Sequence, residues 1–441
     1  MASVDTYSPG KIGPAGLAAA LASPVLLIFL STNVVNAGNL AFNMLFSRWM
    51  GPELFADLAT LMTIKLALLG ILGALQMSVS HLVARADGTD AGLLTQIARI
   101  NSRAFVALLA LFPVVAALFL FTALHSHLGL GSEWALLILF ASLPFTAPLS
   151  LLRGVVIGQL AVRPVILSAN AEMGVRLAGG IGAWHAGLGL EGVVAAIALS
   201  IFAGWFVIRN ELPAAEGATS DALPVARAIG IAALPFAALQ VAQVILLDGD
   251  VVLAQFLLSD TEAGYVAAFA LFQRIQFFAC FGLAAALLPA VASTSRTGFS
   301  PLAQAAPAGW LFLAVAIPFG AATIFAPEAL LRLVVGASYL PAAPHLWMAG
   351  LASIAFTFSY LAATFLAGLG DRSGILAVII ASPLQVFVIL ELASEGPQGL
   401  AGLLTLKLGC QLALAALVLI LCLIRILSRD DRSSIISSPS A

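Results

Sequence analysis

Long apolar runs, each broken by a few polar residues, fill the chain from about residue 22 to residue 424. They repeatedly reach the roughly 20 residues that a helix needs to cross a bilayer. Hydropathy set against the polar breaks predicts twelve spans, at 22–47, 54–80, 104–124, 134–157, 165–184, 191–208, 228–257, 262–292, 307–326, 344–369, 374–393 and 398–424. No break between them is long enough to hold a folded domain. The longest, "RNELPAAEGATSDALPVAR", is rich in Pro and Ala and falls midway along the chain. The division is therefore a segment 1–21, a six-helix bundle 22–208, a linker 209–227, a second bundle 228–424 and a tail 425–441. The Ser-rich stretch after Arg429 reads as irregular. Lys11 ahead of an apolar run has the outline of a signal peptide, but the run continues to about Phe46 and reads as a retained first helix.

Composition agrees with this pattern. Hydrophobic residues make up 61% of the chain and charged residues 9%, with a mean hydropathy of +1.08. Soluble domains carry about 25% charged residues, so the class is an all-α integral membrane protein. A net charge of −2 leaves no basic face for nucleic acid. Cys280, Cys410 and Cys422 lie in apolar segments without paired spacing and read as small buried hydrophobes.

The positive-inside rule sets the orientation. One set of breaks and tails holds Lys11, Arg85, Arg99, Arg103, Arg153, Arg163, Arg209, Arg227, Arg296, Arg372, Arg425, Arg429 and Arg432; the other holds only Arg48 and Arg332. Both termini are therefore expected on the cytoplasmic side.

An offset of 209 residues relates the two halves. "ELFADLATLMTIK" (53–65) lies over "EAGYVAAFALFQR" (262–274), matching Lys65 to Arg274. The same offset sets Arg163 over Arg372, Arg176 over Gln385 and Asn39 over Asp248. Six spans return the chain to the same side, so both copies run in the same direction. The expected architecture is two six-helix bundles related by a pseudo-two-fold axis along the membrane normal, around a central cavity.

Polar residues within the spans carry the candidate chemistry, because a charge at a helix centre costs roughly 2.5–3.5 kcal/mol and requires a partner or a wet cavity. Lys65 and Arg274, related by the repeat, are candidates to face each other across the central space as a cationic site for an anionic substrate. Gln76 shares a helix face with Lys65, and Gln273 and Gln276 flank Arg274. Arg176 follows Glu172 by one turn, which suits an internal ion pair. Lys407 stands alone in the last span and reads as structural. Asn33, Asn36, Asn39 and Asn43 fall on one arc of the first helix and read as a wall of the wet cavity.

Asp248 and Asp250 form an Asp-x-Asp, but residues two apart on a helix point about 200° apart and do not share one metal. With Gln243, on the face of Asp250, and Glu172 they are candidates for a proton or sodium coupling site, or for partners of the cations. His81 reads as interfacial. The His125 and His127 pair has the spacing of a chelate but no third ligand in sight. Neither a P-loop, a nucleophile elbow nor a His-Glu-x-x-His occurs. No catalytic residue, metal or cofactor is expected, and the outer breaks are short for a glycan polymerase or ligase.

Several stretches in this order resemble one family. The Asn-rich first helix leads into "SRWMGPELFADLATLMTI"; "DGDVVLAQFLLSDTEAGYVAAFALFQRIQFF" and "ALLPAVAS" follow in the second half; and "APEALLRLVVGASYLPAAPHLWMAG" carries Gly336 and Tyr339 in a Gly-x-x-Tyr. Over nearly the whole chain this resembles the polysaccharide transporters, the Wzx-type oligosaccharide flippases of the multidrug/oligosaccharidyl-lipid/polysaccharide superfamily. The resemblance implies a twelve-helix transporter of the bacterial cytoplasmic membrane that moves an undecaprenyl-pyrophosphate-linked oligosaccharide outward by alternating access. It implies Lys65, Arg274 and Arg176 for the pyrophosphate and the amides for sugars, with other polysaccharide-assembly membrane proteins as partners. This chain departs from the family in having few Tyr and Trp within the spans. The alternatives are a multidrug and toxin extrusion exporter of the same fold, which favours acidic cavity residues, and a membrane glycan polymerase or ligase.

Overall fold

The computed structural model describes residues 24–86, 90–122, 130–132, 134–212, 222–297, 300–395 and 399–436. Segment 1–21, most of the linker, and His125 and His127 lie outside these residues. Among the described residues all regular structure is helical, and twelve helices have membrane length.

The first two, α1 (24–50) and α2 (52–85), meet without a loop at Gly51, whose φ of 72° and ψ of 179° break the helix. Only glycine takes that conformation at little cost, and Pro52 then starts α2 at the one helical position where its missing N–H is harmless. The first half continues with α3 (Ala91–Thr122), α4 in two pieces (Ala135–Phe140 and Leu143–Gly158), α5 (Val162–His185) and α6 (Gly189–Ile208). The second half comprises α7 (Leu223–Leu257), α8 (Asp260–Thr297), α9 (Pro301–Phe325), α10 (Leu346–Gly368), α11 (Ser373–Glu395) and α12 (Leu400–Ile436). A short connecting helix, Pro327–Val334, and a 3-10 stretch, Ala337–His345, join α9 to α10.

Two boundaries differ from those expected, and one arginine counted among the breaks does not lie in one. Helix α3 starts at Ala91, so Arg99 and Arg103 lie within it and not in the preceding break. The last helix runs through Ile436, so the described residues after Arg429, expected as irregular, are helical. Arg153 lies inside α4, not in a break.

Ten stretches are both long and apolar enough to cross a membrane, and one of these, Leu30–Arg85, contains α1 and α2. The helix that meets the length but is missing from that set is α5, whose Arg163, Glu172 and Arg176 lower its hydropathy. The chain is a multi-pass membrane protein.

The halves join at the end marked by Gly51. One apolar core there takes Phe42 and Phe46 from α1, Phe55 from α2, Phe269 from α8, Tyr339 from the connection and Leu403 from α12. The Tyr339 hydroxyl, fully buried, donates to the Ser47 carbonyl at 3.0 Å. Arg48 donates to the carbonyls of Arg332 and Leu333 at the end of the connecting helix. Toward the other end the cores separate. One lies between α7, α8, α10, α11 and α12, and two lie within the first half, where Ile229 in the first turns of α7 is the guest from the second.

Candidate functional site

Two clusters of buried charge occupy the helix interiors, one in each half. In the first, Ser168, Glu172 and Arg176 recur every four residues along α5 and so form one polar stripe. Glu172 is the hub. Its carboxylate lies 2.6 Å from Arg176 Nη2, 3.1 Å from Arg153 Nη2 of α4 and 3.7 Å from Lys65 Nζ of α2. Arg153 also donates to Ser168 Oγ at 2.9 Å, and that hydroxyl donates to the Gly204 carbonyl of α6 at 2.7 Å. Arg176 Nη1 donates to Asn39 Oδ1 of α1 at 2.6 Å. Three helices thus meet at one carboxylate, and α1 and α6 join the network through Arg176 and Ser168.

The charge does not balance. Three cations surround one anion, and Lys65 is only 4% exposed. Lys65 Nζ and Arg176 Nε have no hydrogen-bond partner. A buried cation that keeps an unused donor is costly unless something else pairs with it.

The second cluster is neutral. Arg274 Nε of α8 lies 2.8 Å from Asp248 Oδ1 of α7, and Lys407 Nζ of α12 lies 2.7 Å from Asp250 Oδ1. Both aspartates are fully buried. Because they are two residues apart, they address different neighbours, α8 and α12, as the helical geometry requires. Lys407, expected to stand alone, is paired. Gln411 of α12 donates to Gln385 Oε1 of α11 at 2.6 Å and to the Leu246 carbonyl at 3.0 Å. Asp248 Oδ2, both oxygens of Asp250 and Gln243 Oε1 have no hydrogen-bond partner, so Asp250 is held by the ion pair with Lys407 alone.

Lys65 and Arg274 do not face each other across a central space. Arg274 reaches into the other half, but its Nη2 donates to Thr63 Oγ1 of α2, at 3.1 Å. Thr63 and Lys65 are two residues apart and therefore lie on nearly opposite faces of α2. One face meets α8; the other turns Lys65 into its own bundle.

The remaining candidates divide. Asn33 and Asn36 are exposed, whereas Asn39 accepts from Arg176 and Asn43 donates to the Asn39 carbonyl at 2.8 Å. The asparagine row therefore spans two environments and is not one continuous wall. Gln76 is half-buried on α2. Gln276 Oε1 accepts from Ser353 and Thr357 of α10, at 2.8 and 2.7 Å. Gln273 accepts from Lys407 at 2.6 Å and leaves its Nε2 without a partner.

Arg153 is the site residue that sequence reasoning missed. It sits five residues before the end of α4, where an arginine reads as a loop or snorkelling residue. The polar stripe on α5 was the available signal, since it called for more donors than Arg176 supplies.

No protein-family model and no curated protein matches the chain. Among solved structures the fold recurs. An inward-facing conformation of a multidrug resistance MATE family transporter of the MOP superfamily superposes with a TM-score of 0.72 at 15% identity, over 93% of this chain and 99% of the other. The lipid II flippase MurJ, in an inward closed conformation, gives 0.70 at 14% identity, over 93% and 91%. An outward-facing MATE family transporter of the MOP superfamily gives 0.58 at 16% identity, over 95% and 97%. The chain has the fold of MOP-superfamily transporters.

Proposed function

We propose that this chain is a transporter that flips a lipid-linked oligosaccharide, carried on undecaprenyl pyrophosphate, from the inner to the outer leaflet by alternating access. The observation that carries this reading is the cation excess around Glu172, with an ammonium and a guanidinium nitrogen left undonated. A pyrophosphate supplies what the cluster lacks: several anionic oxygens that accept from Lys65 and from the planar forks of Arg153 and Arg176. Asn36, exposed on α1, is the amide this reading assigns to sugar hydroxyls. A cationic drug would have to displace three cations from one carboxylate, which disfavours the exporter alternative. It also sets this site apart from that of an acid-lined exporter.

The arrangement of cores supports alternating access. The halves share a core at the Gly51 end; toward the other end each has cores of its own, with Ile229 of α7 packed into one of the first half's, and the superposition is better on the inward-facing than on the outward-facing relative. With the Arg and Lys distribution, the closed end is the outer one and both termini are cytoplasmic. Coupling to a proton falls to the buried carboxylates, Glu172 in the first half and Asp248 in the second.

The test is flipping in proteoliposomes of an undecaprenyl-pyrophosphate oligosaccharide, read by lectin or glycosidase access to the newly exposed glycan. Wild-type protein accelerates exposure over empty vesicles, and Lys65→Ala and Arg153→Ala each reduce the rate at least about tenfold, a change of about 1.4 kcal/mol, at unchanged protein content. Undiminished flipping in both variants, or export of a lipophilic cation without any lipid flipping, rejects the reading.

A further inference from the structure

The two buried ammonium groups of this chain are in opposite states. Lys65 has no hydrogen-bond partner, whereas Lys407 has two hydrogen bonds and a close ion pair. Its Nζ lies 2.7 Å from Asp250 Oδ1, 2.8 Å from the Leu247 carbonyl and 2.6 Å from Gln273 Oε1. The three oxygens come from α7 and α8, while the ammonium enters from α12. Two of the three N–H groups are thus donated, to the Leu247 carbonyl and Gln273 Oε1, and the Asp250 carboxylate supplies the compensating charge. Lys407 is 2% exposed and Asp250 0%.

A carboxylate, a main-chain carbonyl and an amide oxygen, all turned on one point, are the ligands a small dehydrated monovalent cation uses. The charge count agrees. Asp248 and Asp250 are matched by Arg274 and Lys407, so the second cluster has no net negative charge to hold a further ion. The 209-residue offset sets Lys407 over Ala198 and Asp250 over Ala41, so this arrangement belongs to the second half alone.

We propose that the Lys407 ammonium is a tethered replacement for a dissociable monovalent cation, and that the oxygens of Asp250, Leu247 and Gln273 form a latent cation site that opens when Lys407 is shortened. In the native chain the site is permanently loaded, and sodium does not bind there as a coupling ion. This stands apart from the substrate reading, because the measurement needs no substrate.

The experiment is thermal unfolding of the purified full-length chain in detergent, in lithium, sodium, potassium or N-methylglucamine chloride at equal ionic strength. Wild type gives the same midpoint in all four. Lys407→Ala falls by about 5 °C in N-methylglucamine, as expected for a buried carboxylate left alone, and recovers saturably with one of the small cations. Lys407→Met, which fills the space with an apolar chain, falls without recovering in any of them. A saturable sodium-specific stabilisation of wild type overturns the proposal, as does a folded Lys407→Ala that no small cation restores. Should Lys407→Ala not fold, binding of radioactive sodium to wild type decides. No saturable binding is expected, and saturable binding lost in Asp250→Asn overturns the proposal.

Discussion

Glu172 faces three cations, so its loss and the loss of any one cation have different consequences. Replacing one cation leaves two cations around one anion, a cluster that is still positive. Replacing Glu172 with Gln leaves three buried cations without an anion, and breaking a buried pair in this way costs about 3–5 kcal/mol. Glu172→Gln is therefore expected to unfold at a clearly lower temperature than Lys65→Ala. Midpoints followed by tryptophan fluorescence check this, and equal midpoints contradict the hub role. A double variant, Glu172→Gln with Lys65→Met, should regain part of the loss, since it removes one unpaired charge. At this scale the sequence showed which residues are polar in the membrane but not where they point. The repeat sets Lys65 over Arg274, yet the two take acids from different helices, Glu172 on α5 and Asp248 on α7. An offset relates positions along the chain, and side-chain direction is settled by the packing of helices that an offset does not describe.

Helices here approach closely where glycine removes the side chain. Gly154 and Gly158, one turn apart on α4, would each place a Cβ 2.7 Å from a main-chain oxygen of α2, at Gln76 and Ser80. This small-xxx-small pair lets two backbones lie in contact, the usual device for membrane helices that gain nothing from burying apolar surface against lipid. It also positions Arg153 against α5. Gly154→Leu is expected to destabilise the chain by about 1–3 kcal/mol and to lower transport by separating α4 from the cluster; thermal unfolding and the flipping assay read both. Gly264 plays the same part between the halves, because a Cβ there would collide with the Pro52 backbone. Gly264→Leu should therefore hold the Gly51 ends apart, and distances between spin labels on the two halves should lengthen relative to wild type. Twelve helices and most of their bounds were legible from hydropathy. The breaks that were misplaced, at Arg99, Arg103 and Arg153, are those where an arginine was read as a loop although its helix continues past it.

Across the whole molecule, the joined end is the part that must part and re-form if the chain works by alternating access. Glu53 of α2 accepts from Thr261 of α8 at 3.1 Å, and Gln255 of α7 donates to the buried Asp57 of α2 at 3.2 Å. A disulfide between Glu53→Cys and Thr261→Cys should stop flipping, and reduction should restore it; unaffected flipping in the fully cross-linked protein would show that this end stays closed throughout. The two-bundle plan and its transporter fold were readable from run length, linker and repeat. The balance of charge was not, since it depends on Arg153, Asp248 and Lys407 meeting partners far away in the chain. The low hydropathy of α5 has a consequence for biogenesis. A segment with Arg163, Glu172 and Arg176 partitions poorly from the translocon into lipid by itself. The tight turn at Gly187 (φ 74°) and the strongly apolar α6 allow the two to enter together as a hairpin. Glu172 of the α5 stripe then meets Lys65 and Arg153 only once α2 and α4 are in place beside it. Fused alone to a glycosylation reporter, α5 should remain largely uninserted, and α5 with α6 should insert. The residues read here as a substrate site would thus also dictate the order in which the first half is assembled.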